Sequence, residues 1–462
     1  MIRKYFLLFI CLVILLPIRN VSAQDNTDNP VYIIQNGDTL SLIALRFGVS
    51  LSDLMNTNHI SDPNSIEAGS QLIIPGLKGI QGILVTQEVP VGEDLHTISL
   101  RLQTLPQIII RLNRITSPME VYAGTSLILP QFQEEKTLKP EMLLTPDQSL
   151  LELSVLAKMN PWLLRQTNQL SGSWDILPGE MVYLPSKTSQ KELNNFSPSI
   201  SSLIVEPLPL KQGSTVVIKI RTNQPITLSG SLGNQELQFF PNGNNEYVAL
   251  EGISAIADPG LVSFVLKGTE AGSSRFQFDQ NILVQPGYYG EDPPLEVDPE
   301  TLDLQVMESE DRQLTNLTQN ATPEKMWSGS FKFPIDEPCI RSWFGNRRTY
   351  NSGVYRSYHA GVDFGVCADN LNILAPAPGN VVFTGLLNIH GNSTIIDHGW
   401  GIYTEYSHQA EIVVRVGDHV ETGQIIGIIG ATGRVTGPHL HWELRINGVP
   451  INPLEWVNNS FP

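Results

Sequence analysis

The histidines of this 462-residue chain are concentrated near its C-terminus, since seven of the nine follow residue 358. His439 and His441 alternate along a segment with strand character, and period-two geometry puts both imidazoles on one face. In a straight strand, His359 and Asp363 would be roughly 13 Å apart, but Gly361 between them allows the chain to bend. Clustered histidine and aspartate side chains are typical zinc ligands. We therefore expect a metal site here.

The other histidines of this region are assigned different roles. His408 ends the predicted strand that contains Tyr406-Ser407-His408, and it is a further candidate for the site. His398 lies in a turn and is expected to act as a hydrogen-bonding scaffold. His390 and His419 are expected to be surface loop residues.

Short motifs in intact order run through residues 331–462: Phe344-Gly345-Asn346-Arg347, His359-Ala360-Gly361-Val362-Asp363-Phe364, Ile396-Asp397-His398-Gly399, Gly423-Gln424-Ile425-Ile426-Gly427 and His439-Leu440-His441-Trp442-Glu443. This segment resembles the M23 family of zinc metallopeptidases, also called the lysostaphin or LytM type. The resemblance implies a mostly antiparallel β domain with a groove over one Zn²⁺ ion. Arg347 and Tyr355 are candidates for substrate contacts, although an arginine on a loop is usually only solvated.

The resemblance also assigns individual roles. It makes His359, Asp363 and His441 the zinc ligands, and His408 and His439 the catalytic pair, without fixing which of the pair is the general base. Three protein ligands leave a fourth position open for water, as in catalytic zinc sites. The metal lowers the pKa of that water, and a nearby imidazole can accept its proton.

The N-terminus and the cysteines indicate export. Residues 1–23 combine a positive start, a short apolar run and a small-residue cleavage site, which predicts a signal peptide. A retained membrane anchor is the alternative, but the run is shorter than the roughly 20 residues that span a bilayer. Cys339 and Cys367 remain after cleavage. An even count in an exported chain favours a disulfide between them, with two free thiols as the alternative.

The N-terminal half contains an internal repeat with a period of 55 residues. Its landmarks are four sets of identical residues at that spacing: Leu40, Leu95 and Leu150; Asn58, Asn113 and Asn168; Gly69, Gly124 and Gly179; Pro75, Pro130 and Pro185. In the first copy, residues 31–35 alternate as a strand, Thr39 can cap a helix, and a second helix follows around residues 51–56. Gly69 then turns the chain into a closing strand. We predict βααβ units over residues 30–76, 85–131 and 140–186.

The first copy resembles the LysM family, most clearly at residues 32–40 and 69–75. LysM modules bind the N-acetylglucosamine units of peptidoglycan or chitin, so the resemblance implies anchoring to a wall glycan. Two loops of the first copy would form the glycan groove, one at residues 61–66 and one made of Gly37, Asp38, Thr39 and Leu40. The second and third copies differ in the first loop, and the alternative is that they are structural spacers which bind no sugar.

Between the repeats and the C-terminal domain, two further segments are predicted. Residues 201–286 alternate with period two and contain turn signals, which favours an all-β, Ig-like sandwich acting as a spacer or protein-contact module. Residues 287–330 are rich in acidic residues and proline, a composition that disfavours autonomous folding. We expect a flexible linker there, with an inhibitory segment over the catalytic cleft as the alternative.

Composition limits the partners. The chain has 46 acidic and 29 basic residues and a formal net charge of −17, so binding to nucleic acid is disfavoured. A hydrophobic content of 41% excludes a mostly disordered chain. We expect a secreted or extracytoplasmic, envelope-associated monomer without stable membrane insertion after signal cleavage.

The function expected from these features is a zinc-dependent peptidoglycan endopeptidase that cuts peptide stems or cross-bridges and is held to the glycan by its repeats. The alternative from another class is a non-enzymatic wall-binding protein that regulates other wall hydrolases.

Overall fold

The computed structural model describes residues 29–462 except 78, 103, 118–119, 132–139, 145–147, 169, 171, 173–174, 177–180, 185–199 and 271–274. The predicted signal peptide and the landmarks Gly179 and Pro185 lie outside the described residues. The chain divides into two compact units, one up to residue 85 with residues 130–133, and one of residues 86–129 and 134–462. Within the described part, no helix is both long and apolar enough to cross a membrane.

All three repeats contain the predicted strand-helix-helix-strand order. The elements are, in the first copy, β1 (Val31–Ile33), α1 (Leu40–Phe47), α2 (Leu51–Thr57) and β2 (Gln71–Ile73); in the second, β3 (Ile83–Glu88), α3 (Leu95–Arg101), α4 (Pro106–Asn113) and β4 (Ser126–Gln131); in the third, β5 (Pro140–Leu143), α5 (Leu150–Leu156), α6 (Pro161–Thr167) and β6 (Met181–Tyr183). In the first copy, β1 and β2 pair antiparallel, and the Thr39 hydroxyl accepts a hydrogen bond from the Leu42 amide and so caps α1. The repeated leucine is the buried first residue of α1, α3 and α5.

The repeated asparagine makes the same three hydrogen bonds in every copy. The amide nitrogen of Asn58 donates to the carbonyls of Leu54 and Ile73, and its amide oxygen accepts from the Ile73 backbone, at 2.7–2.8 Å. Asn113 and Asn168 bond the corresponding atoms of their own copies. The asparagine therefore fixes the end of the second helix to the closing strand, which explains its strict spacing.

Residues 200–285 form two sheets that enclose one hydrophobic core. The strands are β7 (Ile200–Glu206), β8 (Leu210–Lys211), β9 (Thr215–Thr222), β10 (Ile226–Leu232), β11 (Gln235–Glu236), β12 (Phe240–Pro241), β13 (Glu246–Gly252), β14 (Gly260–Glu270) and β15 (Arg275–Gln285). One sheet has the order β12-β13-β9-β7, and the other has the order β11-β10-β14-β15-β8. The core lies between them and includes Ile218, Phe264 and Phe278.

The acidic segment differs from the expected flexible linker. It contains a 3-10 turn at Pro299–Leu302 and the 15-residue helix α7 (Leu304–Thr318), and residues 291 and 295 pair in parallel with residues 347 and 350. Glu310 and Leu314 of α7 are buried against the C-terminal domain. The prediction failed because it judged the segment by its composition alone, whereas tertiary packing supplies the apolar and ionic partners that the segment itself lacks.

The C-terminal domain is mostly antiparallel β, as the sequence predicts. Its elements are β16 (Ile340–Ser342), β17 (Arg347–Tyr350), β18 (Tyr355–Tyr358), β19 (Val362–Phe364), β20 (Asn372–Leu374), β21 (Gly379–Leu387), β22 (Gly391–Gly399), β23 (Ile402–Ser407), β24 (Gln409–Ile412), β25 (His419–Val420), β26 (Ile425–Ile429), β27 (Leu440–Ile446), β28 (Val449–Ile451) and α8 (Leu454–Asn458). The main sheet has the order β16-β19-β27-β23-β22-β21-β25, with β28 beside β27. Cys339 and Cys367 form the predicted disulfide.

The β module and the C-terminal domain share a second hydrophobic core. Phe240 of the β module stacks on Trp400 of the C-terminal domain, with ring centroids 5.4 Å apart. Val217 and Leu250 pack in the same cluster as Trp327 and Trp456. The two parts are therefore joined by a packed interface rather than by a linker alone.

Candidate active site

Two adjacent antiparallel strands carry the predicted metal-binding side chains. Asp363 of β19 lies directly opposite His441 of β27, and His359 precedes β19. Gly361 lies where these strands come very close, because an added Cβ would be 2.4 Å from the carbonyl oxygen of Trp442. Glycine at this position therefore allows the strand contact that places the aspartate beside the histidine.

The three side chains converge on one point. The Nε2 atom of His359 lies 3.0 Å from Oδ1 of Asp363 and 3.0 Å from Nδ1 of His441, and the latter two atoms are 2.9 Å apart. All three side chains are buried. The structure therefore brings together the trio that the sequence singled out, and these three groups could hold a metal ion.

Hydrogen bonds on the far side of each ring fix the tautomers. Nδ1 of His359 lies 3.0 Å from the carbonyl oxygen of Trp343, which can only accept, so Nδ1 carries the hydrogen and Nε2 presents a lone pair. Nε2 of His441 lies 2.9 Å from a carboxylate oxygen of Glu443, so this nitrogen also donates. The inward atoms of both rings and of Asp363 are thus acceptors that face one another.

Three lone pairs that face one another at this distance are stable only if one positive charge lies between them. Burial lowers the pKa of His359 to about 4 and so keeps this ring neutral. Burial also opposes a charge on His441, but hydrogen bonds from its ring to Asp363 and Glu443 raise its pKa. Either a proton on Nδ1 of His441 or a metal ion can therefore supply the charge. Two imidazoles and one carboxylate form a donor set that suits zinc, so the residues fit the implied metal.

Arg348 holds the other oxygen of Asp363, and the sequence analysis missed it. Its guanidinium donates to Oδ2 of Asp363 and, from Nε at 2.9 Å, to Asp292. Burial alone would raise the pKa of Asp363, but His359 and Arg348 hold it well below its ordinary value. Strand alternation could have identified Arg348, because β17 directs Arg347 and Arg348 to opposite faces.

The predicted catalytic pair lies beside the trio. The rings of His408 and His439 are 4.8 Å apart, and Nε2 of His439 is 3.6 Å from Oδ1 of Asp363. Each ring makes a hydrogen bond from Nδ1 to a backbone carbonyl, of Thr432 for His408 and of Gly437 for His439. Nε2 of each therefore carries the lone pair. Burial, together with the neighbouring histidines, holds the pKa of His408 well below its ordinary value, so this ring is neutral.

An open cleft of about 650 Å³ lies in front of these groups. Asp363, His408 and His439 line it. Residues 292, 293, 295 and 297 of the acidic segment and residues 434–438 also line it. A chain in extended conformation can therefore approach the trio through this cleft.

His390 is not the surface residue that the sequence suggested. Its Nδ1 atom lies 2.7 Å from Glu310 of α7, and its Nε2 atom lies 3.7 Å from Glu443. Burial opposes charging of this ring, but Glu405, Glu310 and Glu443 together raise its pKa to about 10. The prediction was wrong because the partner Glu310 comes from a segment that was expected to be disordered.

Three other residues that the sequence singled out, His398, Arg347 and Tyr355, do not line this cleft. His398 is fully buried and bonds the Pro378 carbonyl and the Thr404 hydroxyl, both at 2.7 Å, which is a scaffold role. Arg347 is exposed, and its guanidinium lies over the ring of Tyr289. Tyr355 is half-buried and lines a second cleft, behind His359 and His441.

The predicted glycan loop of the first repeat forms a tight turn. Gly37 has a φ of +85°, a conformation that favours glycine. Asp38 accepts hydrogen bonds from the Tyr32 hydroxyl and the Gln35 amide, each at 2.8 Å. The side chains of Asp38, Thr39 and Leu40 therefore stabilise the turn or the core, which leaves the loop backbone as the surface available to a sugar.

Comparison with known families matches both ends of the chain. Residues 357–453 match the model of peptidase family M23, and residues 32–75 and 89–130 match the LysM domain. A DD-carboxypeptidase/endopeptidase, Mpg, of Neisseria meningitidis is 41% identical over 26% of this chain and 27% of its own length. A peptidoglycan DD-endopeptidase, ShyA, of Vibrio cholerae is 38% identical over 27% of this chain and 29% of its own length. The chain thus matches between a quarter and a third of these relatives.

Among solved structures, a putative peptidase M23 from Pseudomonas aeruginosa is 24% identical to this chain. The superposition has a TM-score of 0.40 and covers 55% of this chain and 96% of that one.

Proposed function

We propose that this chain, which carries a domain of peptidase family M23 and two LysM domains, is a zinc-dependent endopeptidase acting on the peptide stems or cross-bridges of peptidoglycan. One observation carries the proposal: three buried lone-pair donors converge within 3.0 Å, beside two imidazoles that open into a cleft. Two relatives that match this domain are named a DD-carboxypeptidase/endopeptidase and a peptidoglycan DD-endopeptidase, which supports the same substrate class.

In this proposal His359, Asp363 and His441 hold the metal through Nε2, Oδ1 and Nδ1. When bound, Zn²⁺ acts as a Lewis acid and lowers the pKa of a bound water towards neutrality. Trp343 and Glu443 keep the two ligand rings in the required tautomers by accepting from their outer nitrogens. Such acceptors orient metal ligands and raise their basicity.

His408 and His439 carry the proton transfers. Both residues line the cleft, and the Nδ1 hydrogen bonds hold the two rings in place. One ring accepts the proton of the attacking water, and the other stabilises the oxygen of the attacked carbonyl or protonates the departing amine.

The remaining modules support access to the wall. We assign residues 30–76, 85–131 and 140–186 to LysM repeats that bind N-acetylglucosamine glycan, with the backbone of residues 37–40 in the first site. Several weak sites on one chain gain affinity by avidity. The combination of LysM and M23 domains fits an extracytoplasmic, envelope-associated protein whose predicted signal peptide is removed. We also propose that the protein acts as a monomer.

We also assign the β module to the Ig-like class. The sheet orders β12-β13-β9-β7 and β11-β10-β14-β15-β8 resemble the four-stranded and three-stranded sheets of an immunoglobulin sandwich, with one short extra strand, β11 or β8, at each edge of the second sheet.

The test combines metal content with product analysis. The purified chain should contain one zinc per molecule and should release peptides with new amino termini from purified peptidoglycan, as read by elemental analysis and mass spectrometry. His441→Ala should lose both properties. His419→Ala is the matched control, because this half-exposed histidine lies in β25 and bonds only surface groups. A wild-type chain that binds no zinc and releases no peptide would overturn the proposal and favour a non-enzymatic regulator.

A further inference from the structure

Two carboxylates of the acidic segment lie close to the metal site but outside the matched M23 region. Asp292 and Glu310 both precede residue 357, where the family match begins. Asp292 lies near the start of the segment and Glu310 in the middle of α7. The Asp292 side chain is 9% exposed and contacts Arg348, which binds Asp363. The Glu310 side chain is 3% exposed and contacts His390, which lies beside Glu443, the partner of His441.

Glu310 acts on the His441 side. Its carboxylate accepts hydrogen bonds from the backbone amides of Ile389 and His390, at 3.0–3.2 Å, and from the His390 ring at 2.7 Å. The opposite nitrogen of that ring lies 3.7 Å from the Glu443 oxygen that accepts from His441. The His390 ring is thus held between two carboxylates, one from α7 and one from β27.

This contact fixes the position of Glu443. Its first oxygen is shared between His390 and His441, and its second accepts from Arg445 at 2.8 Å. Without the Glu310 anchor, the His390 ring would be free to rotate, and the shared oxygen would lose a fixed partner. His441 would then be less firmly oriented towards the metal.

Asp292 acts on the Asp363 side. It accepts from Nε of Arg348 at 2.9 Å and from the side-chain amide of Asn346 at 2.7 Å. Arg348 in turn binds Oδ2 of Asp363, which leaves Oδ1 directed at the two histidines. The backbone of residues 290–295 is itself held by pairing with β17, so Asp292 is a fixed anchor.

We propose that Asp292 and Glu310 are positioning residues of the metal site, and that the catalytic unit therefore begins near residue 290 rather than at the start of the M23 match. The inference rests on the proposed metal site. Neither carboxylate reaches the metal ligands directly, and each acts through one or two intermediates. Outer partners of metal ligands typically change metal affinity by 10–100-fold when removed.

The experiment measures zinc affinity in the full chain by competition with a chromophoric chelator. Asp292→Asn and Glu310→Gln preserve shape and remove the charge. Glu308→Gln is the control for α7, because this side chain is exposed on the same helix, and Asp369→Asn is the control for aspartate. The absorption spectrum of the Co²⁺-loaded protein and the melting temperature of the metal-free protein complete the set.

We expect each positioning variant to bind zinc about 10–100-fold more weakly and to shift the Co²⁺ spectrum, while both controls match the wild type. A purely structural role would lower the melting temperature of the metal-free protein but leave the zinc affinity and the Co²⁺ spectrum unchanged, and this result would overturn the inference. If a variant does not fold, His390→Asn and Arg348→Lys test the same two links, with the same expectation. A wild-type chain that binds no zinc would instead refute the proposed function.

Discussion

Replacing Gly361 by alanine should separate the two strands that carry the metal ligands. The new Cβ would lie 2.4 Å from the Trp442 carbonyl oxygen, which is backbone and cannot rotate away. Ordinary contacts are near 3.5 Å, so β19 must move by about 1 Å relative to β27. Asp363 follows two residues later in the strand and faces His441 across it. The displacement therefore changes the geometry of the ligand set directly.

A misplacement of this size can cost about 100-fold in rate, which corresponds to about 2.7 kcal/mol in the activation free energy. We expect Gly361→Ala to lower kcat/KM by about that factor on a soluble peptidoglycan peptide and to weaken zinc binding. Gly385→Ala is the control, because its nearest neighbour is the rotatable Phe383 ring at 3.2 Å. A kcat/KM within threefold of wild type for Gly361→Ala would refute the argument, since it would show that the site tolerates the strand shift.

Three further outcomes concern stability. Burial raises the pKa of Glu251 from 4.5 to about 7. Between these pH values the folded state holds a proton that the unfolded state has lost, so stability falls as the pH rises from 4.5 to 7, and Glu251→Gln should raise the unfolding free energy by roughly 3 kcal/mol at pH 8 and not at pH 4. A lower melting temperature than wild type at pH 8 would contradict this. Asn168→Ala removes three buried hydrogen bonds and should lower the local stability of the third repeat by about 2–4 kcal/mol. Hydrogen exchange should then be faster at the β6 amides, with the β15 amides as the internal reference, and unchanged exchange would show that the asparagine is dispensable. Replacing Cys339 and Cys367 by serine opens a loop of 28 residues and should lower the unfolding free energy by about 3.5 kcal/mol, as measured by thermal unfolding. A double variant as stable as the oxidised wild type would contradict this expectation.

The sequence located the candidate site because its motifs are short and local. His439 and His441 lie two residues apart, and His359 and Asp363 lie four apart, so little tertiary information was needed to group each pair. The disulfide followed from the even count of cysteines that remain after removal of the predicted signal peptide. The repeat units followed from a strict period, whose physical cause is the asparagine contact between the second helix and the closing strand.

The partners of those ligands could not be predicted in the same way. Arg348 reaches Asp363 from the separate β17–β18 hairpin, and Glu310 reaches His390 across 80 residues of sequence. Such contacts depend on tertiary packing, and composition gives no sign of them. The acidic segment shows this most clearly, because the charges that suggested a solvated linker include two that are buried in ion pairs.

The packed interface between the β module and the C-terminal domain affects how the two can be recombined. The motif positions suggest a domain boundary at residue 331, with residues 331–462 as a domain that folds independently. Cutting there would remove Trp327 from the shared core and would expose Trp400 and Trp456, whose rings now pack against it and against Phe240. Exposed apolar patches of that kind promote aggregation. A chimera should therefore include the β module and the C-terminal domain together.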